Sequence, residues 1–505
     1  MTDKQTSLDE HAAAARDGDG LHLKALHGVK WATVANWLAQ AAGFVTMIVL
    51  ARMLLPDEFG IYAIGSSVVM ILGGLSQIGL PLALVQREHV EQAHFHSAFW
   101  CVTGFALLLA TAAFLGREAI AAIMGLPTLA SLVPVLALAL PIQAMAGIFN
   151  APLMRSLDFR RAAIATSAGA IAGAAAAIAM ALAGFGLWSL VAQSLVAAAV
   201  TLGVLVAVSP YRPSWIFSVS RLRELWSFGA LSMVTDFVSL TDLRLGSVLL
   251  GGLLGPRAAG LYAMSRRVID MGQQVFVASI GQVAMPAFSR LAGQPARMRT
   301  AYLNAVQSVA ALTFPLFGFL AVMSREVVVI FLGTGWEEGA PVLRFLALAA
   351  LFQSYGWIST SALAALGRAS LRLGVQVLSL GLSIAVLAAA WREGLVAVAL
   401  GFLLKSLIMH VALFAAVSRA AGISARNYVT AVGPVGLAAA VALASSYFLR
   451  PVLDVHLTST PLIVACVGPA GVLYLIVLRL LAPSLATRVI GYAVELLRPL
   501  ARIVR

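Results

Sequence analysis

Charge is what this chain has least of. Only 11% of its 505 residues are Asp, Glu, Lys or Arg, while 61% are hydrophobic. Soluble proteins carry about 25% charged residues, so a water-soluble globular chain is excluded. Cysteine is nearly absent. The two, Cys101 and Cys466, lie far apart in apolar stretches and make neither a CxxC nor a metal-spaced set. Long polar insertions are missing: no stretch between apolar runs exceeds about 20 residues. That leaves no room for the extramembrane domain with which a membrane glycosyltransferase or polymerase holds its acceptor. No GxxxxGK[ST] loop is present, so ATP is not the direct energy source. The first 30 residues contain Asp9, Glu10, Asp17 and Asp19 and no apolar core, so a cleavable signal peptide is not expected. No cofactor and no metal site is expected.

What is present is a series of long apolar runs, with mean hydropathy +0.94. About 20 apolar residues cross the hydrocarbon layer. The runs predict about 14 transmembrane helices: 31–51, 60–85, 97–116, 128–149, 162–183, 187–208, 228–251, 260–288, 302–324, 340–366, 371–391, 394–417, 428–449 and 460–481. The runs do not alternate, and they are rich in Ala, Leu and Gly. Helices therefore fit them better than barrel strands. The fold class is all-α integral membrane.

The formal charge is +13 and the isoelectric point about 10.4. No basic patch is interleaved with aromatics, so nucleic acid is not an expected partner. Topology accounts for the charge. With the N-terminus inside, inner loops hold 22 of the 34 Lys and Arg residues and outer loops hold 6. That bias puts both termini in the cytoplasm.

The chain repeats itself. MLLPDEFGIYA (53–63) matches LLGPRAAGLYA (253–263) when shifted by 200, pairing Leu54 with Leu254, Pro56 with Pro256, Gly60 with Gly260, Tyr62 with Tyr262 and Ala63 with Ala263. The shift carries span 1 onto span 7 and span 2 onto span 8. Six spans is an even number, so the copies share one orientation, a parallel repeat. The expected organisation is a cytoplasmic tail (1–30), a six-helix N-lobe (31–208) and a cytoplasmic linker (209–225). A six-helix C-lobe (226–417), spans 13 and 14 (418–481) and a basic cytoplasmic tail (482–505) follow. Transporters built from parallel repeats bind substrate between the halves.

The second copy has gained charge. Asp236, Asp242, Arg244, Arg266, Arg267 and Asp270 lie at or inside the apolar spans of Trp226–Phe288, which read as two long helices joined by a Gly-Pro turn. Each charge costs about 2.5–3.5 kcal/mol at membrane depth on insertion scales, so six of them point to a polar interior rather than to lipid. Arg266, Asp270, Gln273 and Gln274 fall on one helical face. This face reads as a cavity wall or, as readily, as a structural ion pair. Asp236 and Asp242 need partners from other spans, with Arg344 and Lys405 as candidates beside Arg266 and Arg267. Arg244, Arg266, Arg267, Arg344 and Lys405 form a cationic set suited to a phosphate or pyrophosphate. Asp236, Asp242 and Asp270 are candidates for proton or sodium coupling. Thr33, Asn36 and Gln40 on span 1, with Gln273 and Gln274, are candidate polar wall; helix–helix hydrogen bonding explains span 1 equally well.

Two other features read as structural. His89, His94 and His96 cluster near a loop without metal spacing and read as surface histidines. The run AGAIAGAAAAIAMALAG (168–184) reads as close helix packing.

ARMLLPDEFGIYAIG (51–65), GLPLALVQREHVEQAHFHSAFW (79–100) and RSLDFRRAAIATSAGAIAGAAAAIAMALAGFGLWSLVAQ (155–193) together resemble bacterial polysaccharide flippases of the Wzx type. LLGGLLGPRAAGLYAMSRRV (249–268), PAFSRL (286–291) and FLGTGWEEGAPVLRFLALAALFQ (331–353) extend that resemblance over roughly 30–480. It implies the multidrug/oligosaccharidyl-lipid/polysaccharide exporter fold. It also implies translocation of a polyprenyl-pyrophosphate-linked oligosaccharide across the bacterial inner membrane by alternating access, for exopolysaccharide or lipopolysaccharide export. A non-enzymatic monomer is expected, with a polysaccharide polymerase and export machinery as possible partners. In relatives two extra C-terminal helices offer a groove for the lipid tail, a place spans 13 and 14 fit. The family has no strict catalytic motif, so the site candidates rest on intramembrane charge alone. An ion-coupled multidrug antiporter of the same fold is the alternative; a membrane enzyme of polysaccharide assembly is a more distant one.

Overall fold

The computed structural model describes residues 37–488 and 491, without 78, 88, 277–283, 285, 286, 292 and 455–458. Asn36 and Thr33 lie outside the described residues. The described elements are helices and turns. In order they are α1 (Trp37–Met53), α2 (Pro56–Gln77), α3 (Leu80–Gln86), α4 (Gln92–Leu115), α5 (Arg117–Met124), α6 (Leu129–Ala137), α7 (Ala139–Arg155), α8 (Phe159–Leu182), α9 (Trp188–Val208), α10 (Val219–Leu254) and α11 (Pro256–Phe276). Then come α12 (Pro295–Val322), α13 (Ser324–Phe331), a 3-10 turn (Thr334–Gly339), α14 (Ala340–Ala365), α15 (Ala369–Ala390), α16 (Leu395–Ala421), α17 (Ala425–Asp454) and α18 (Ser459–Leu481).

Twelve helical stretches among the described residues are long and apolar enough to cross a membrane. The chain is a multi-pass membrane protein. Two of the fourteen expected spans are not among the twelve. One falls on α1, whose described part is a shorter apolar helix. The other falls on α11, which carries Arg257, Arg266, Arg267 and Asp270. The expected span 128–149 is broken at Leu138 into α6 and α7. Pro141, one turn further on, has no N–H to offer the carbonyl of Ala137.

The helices form two compact units. The first holds the described residues up to Leu54 together with Gly65–Met233; the second holds Leu55–Ile64 and the described chain from Val234 onward. Helices α2 and α10 therefore contribute to both.

In the first unit the small-residue run does what its composition suggests. A Cβ on Gly169 would lie 2.0 Å from the Thr201 hydroxyl oxygen and 2.6 Å from the carbonyl of Ala197. One on Gly173 would lie 2.6 Å from the carbonyl of Gln193. Only glycine lets α8 and α9 approach so closely.

The histidines of this unit correct the surface reading. His94 is 1% exposed and His96 5%, because α4 begins before them and turns them inward. His94 meets Glu224 at 3.3 Å, and Arg87 donates to the same carboxylate at 2.6 Å. Arg221 closes the group with an ion pair to Glu91 at 2.9 Å. Hydrogen bonds from Arg87 first, then His94, hold the Glu224 carboxyl below its usual pKa. His89 is exposed. His96 sits 3.2 Å from the Tyr211 hydroxyl and accepts from the backbone N–H of Ser214 at 3.2 Å.

The second unit is packed around α12, α14, α17 and α18. Val306, Val309, Ala310, Ile358, Ala362, Val435, Ala438 and Ala442 are buried there. Two tyrosines of this core keep their hydroxyls paired, Tyr302 with Ser359 at 3.0 Å and Tyr474 donating to the Ala311 carbonyl at 2.7 Å. The turn between α10 and α11 is the expected Gly-Pro turn. Gly255 takes φ 88°, the left-handed conformation that ends a helix, and Pro256 starts the next.

The repeat copies meet in this unit. A Cβ on Gly60 would lie 1.7 Å from the Pro256 carbonyl oxygen, and one on Gly260 1.9 Å from that of Pro56. The contact is reciprocal, as a local two-fold between α2 and α11 requires. Asp57 and Arg257, also equivalent under the 200-residue shift, form an ion pair at 3.5 Å, and Arg257 reaches Glu338 at 2.9 Å.

Candidate functional site

The charges that distinguish the second repeat copy fall into three groups in the second unit. The deepest centres on Asp242 of α10. Lys405 of α16 places its Nζ 2.9 Å from both carboxylate oxygens. Two serines of α15 complete the shell: Ser379 donates to Oδ2 at 2.6 Å and Ser383 to Oδ1. Ser379 and Ser383 are one helical turn apart, so both reach the same carboxylate. The Lys405 and Asp242 side chains are 13% and 10% exposed. Every ligand of Asp242 is a donor.

The second group runs across three helices. Arg266 of α11 donates through Nε to Asp270 Oδ1 at 2.8 Å, an i,i+4 pair, and through a terminal nitrogen to Gln353 of α14 at 2.9 Å. Gln353 donates to Ser406 of α16 at 3.0 Å, and Ser406 to the Phe402 carbonyl at 2.8 Å. Lys405 and Ser406 are neighbours in sequence, so α16 anchors both groups. The third group is simpler. Asp236 pairs with Arg372 of α15 at 2.8 Å, in a more open setting.

Each of the three acids thus has a cation. Arg244 of α10 remains. Its Nε is buried and has no hydrogen-bond partner among the described residues. Its electrostatic neighbours are Asp270, Arg266, Tyr62 and Tyr262, the last two equivalent under the repeat. Arg267 is half-buried, with Tyr62 and Asp270 as electrostatic neighbours. Gln273 is buried, and its side-chain N–H₂ is also without a partner among the described residues, whereas Gln274 is exposed. Arg344 is exposed on α14 and forms no ion pair among the described residues. Gln40 is half-buried on α1, in the first unit.

The structure therefore brings together Asp242 with Lys405, Arg266 with Asp270, and Arg244 with the Arg266–Asp270 pair. It does not bring Arg344 to Asp236 or Asp242. Residues missed in sequence are Arg372, Ser379, Ser383, Gln353 and Ser406. Arg372 reads as a loop residue, because it lies at the expected edge of span 11. The two serines were legible as an i,i+4 pair inside an apolar span.

A family described as "Polysaccharide biosynthesis protein" matches residues 49–341. The succinoglycan biosynthesis transport protein ExoT of Rhizobium meliloti is 32% identical over 321 residues, 63% of this chain and 65% of that protein, so the match spans just under two thirds of ExoT. The lipopolysaccharide biosynthesis protein WzxC of Escherichia coli is 25% identical over 417 residues, 81% of this chain and 84% of that one. Among solved structures, the lipid II flippase MurJ in an inward closed conformation aligns with TM-score 0.72 at 12% identity, covering 90% of this chain and 99% of MurJ. An inward-facing multidrug resistance MATE family transporter of the MOP superfamily aligns with TM-score 0.61 at 14% identity, covering 78% and 100%. At such identities the structural likeness speaks for the fold. The chain belongs to the polysaccharide biosynthesis protein family and has the all-helical fold of the multidrug/oligosaccharidyl-lipid/polysaccharide exporter superfamily.

Proposed function

We propose that this protein is a flippase that carries a polyprenyl-pyrophosphate-linked oligosaccharide across the bacterial inner membrane by alternating access, with both termini in the cytoplasm and no catalytic chemistry of its own. The observation that carries the reading is the state of Arg244. The three intramembrane acids are each paired with a cation, and Arg244 is left with a buried, unpartnered Nε. A buried guanidinium N–H left without an acceptor is costly. A pyrophosphate arriving beside it would supply the missing acceptor through charge-assisted hydrogen bonds. Arg267 is close enough to the same carboxylate, Asp270, to add field. The relatives named for succinoglycan and lipopolysaccharide biosynthesis support a substrate from a polysaccharide pathway.

The headgroup enters the cationic site while the prenyl chain stays in lipid. Rocking of the repeat halves then exposes the site to the other side. Ion coupling would act through one of the paired acids, and Asp242 is the best shielded of them. A multidrug antiporter of the same fold takes cationic substrates, which the surplus of half-buried arginine at Arg244, Arg266 and Arg267 disfavours.

The test is binding of a short-chain polyprenyl pyrophosphate to the purified protein. A hydrogen bond to a charged group contributes about 1.5–3 kcal/mol, so Arg244→Ala should weaken binding about 10- to 100-fold. The monophosphate analogue should bind more weakly to the wild type. Equal affinity of wild type and Arg244→Ala for the pyrophosphate would remove Arg244 from the site.

A further inference from the structure

The segment between α9 and α10, with the first residue of α10, carries an exposed apolar surface. Trp215, Ile216, Phe217 and Val219 are 88%, 50%, 57% and 65% exposed. Four large apolar side chains within five residues are unusual for a loop in water. Their position explains them. The segment does not project away from the first unit; it is laid along the flank of α4. His96 holds Tyr211 and Ser214, the Ser97 hydroxyl accepts from the Ser218 N–H at 2.9 Å, and Trp100 donates to the Ser214 carbonyl at 2.8 Å. Trp215 stacks on Trp100 with ring centroids 4.2 Å apart and planes 17° apart.

Trp100 is eight residues inside α4, which begins at Gln92. At about 1.5 Å per residue this is about 12 Å below the helix start. The stacked Trp215 lies beside that level of α4, a helix long and apolar enough to cross the membrane. Charge flanks the aromatics in sequence. Arg212 spends its donors on the neutral carbonyls of Ser209 and Tyr211 at 2.7 and 2.8 Å, so its charge is uncompensated. Arg223 is exposed and forms no ion pair among the described residues. Exposed apolar aromatics flanked in sequence by two arginines without ion pairs are the pattern of a segment lying in the membrane interface.

We propose that residues 211–223 are an interfacial anchor: Trp215, Ile216 and Phe217 enter the acyl–headgroup boundary of the arginine-rich, cytoplasmic face, while Arg212 and Arg223 bind anionic phospholipid headgroups. The partner is the lipid leaflet, not a soluble protein. The connection between the repeat halves is then tied to the membrane surface as well as to α4. This inference needs only the membrane reading of the chain, not the flippase reading.

The experiment uses full-length protein with Cys101→Ser and Cys466→Ser, carrying a nitroxide at Ile216→Cys or, separately, at Phe217→Cys. The protein is reconstituted in vesicles of phosphatidylcholine with or without phosphatidylglycerol. Power saturation compares dissolved oxygen with a water-soluble nickel chelate as relaxer. Oxygen should dominate at both sites, with greater depth in the phosphatidylglycerol vesicles, and Arg212→Gln with Arg223→Gln should abolish that difference. Nickel-dominated relaxation at both sites would overturn the anchor, because the segment would lie in water or be open to a soluble partner. Equal depth in both vesicle types would overturn the anionic-lipid assignment.

Discussion

The Asp242–Lys405 pair offers a sharp energetic test. Lys405 Nζ lies 2.9 Å from each carboxylate oxygen, with both side chains 13% exposed or less. At an effective dielectric of about 20, unit charges at this distance attract by about 6 kcal/mol. Desolvation of two ions offsets much of that. The pair therefore contributes little relative to no charges at all, yet neither partner can be lost alone. Lys405→Met leaves a carboxylate with only Ser379 and Ser383 as donors. Asp242→Asn leaves a buried ammonium with only neutral acceptors, the new amide oxygen and the Ser383 hydroxyl. Each single change should destabilise the protein by about 3–5 kcal/mol. The double change removes both charges and should cost about 2 kcal/mol or less, a coupling of several kcal/mol in the cycle. Reversible unfolding in mixed detergent micelles, followed by tryptophan fluorescence, measures all four corners. A double mutant as unstable as the sum of the singles would refute the pairing.

Three further predictions follow from particular contacts. Gly60→Ala or Gly260→Ala puts a Cβ within 2 Å of a backbone carbonyl and should cost at least the 1–3 kcal/mol typical of overpacking. Gly104→Ala on α4 meets nothing within 4 Å and should instead stabilise by about 0.5–1 kcal/mol; melting curves of the three decide. The Glu224 carboxyl is held low by Arg87 and His94, so its contribution is complete above the ordinary carboxylate pKa and is lost as pH falls through the lowered value. Limited proteolysis of the 209–225 linker should accelerate on acidification in the wild type, and Glu224→Gln should be cut faster at neutral pH with no further acid step. Arg344→Ala should leave substrate binding within about twofold of wild type, since Arg344 is exposed and outside the three paired groups; a loss matching that of Arg244→Ala would place Arg344 in the site.

Much of the architecture was legible in sequence, because lipid imposes helices and length sets their number. The Gly255-Pro256 turn, the close packing of Gly169 and Gly173 and the pairing of Arg266 with Asp270 follow from local pattern. So does the repeat, and it told more than its letters. Gly60 and Gly260 are small because the copies touch there, and Asp57 faces Arg257 because a two-fold brings equivalent positions together. What pattern could not give is which helices adjoin. Arg372 pairs with Asp236 and Lys405 with Asp242 through neighbours 136 and 163 residues away, distances over which periodicity carries no information. His94 and His96 were misread for the same reason. Their spacing resembles nothing, and their burial depends on the linker that returns from residues 211–224.

The proposal turns on Arg244, whose buried Nε has no partner among the described residues, receiving the pyrophosphate of a lipid-linked oligosaccharide. The direct measurement is flipping itself. Purified protein is reconstituted in liposomes with a fluorescent polyprenyl-pyrophosphoryl oligosaccharide, and the label left accessible to a membrane-impermeant quencher is followed in time. Wild type should equilibrate the two leaflets and Arg244→Gln should not, with both proteins equally folded and inserted. Flipping by Arg244→Gln at the wild-type rate, or none by the wild type under an imposed ion gradient, would contradict the account.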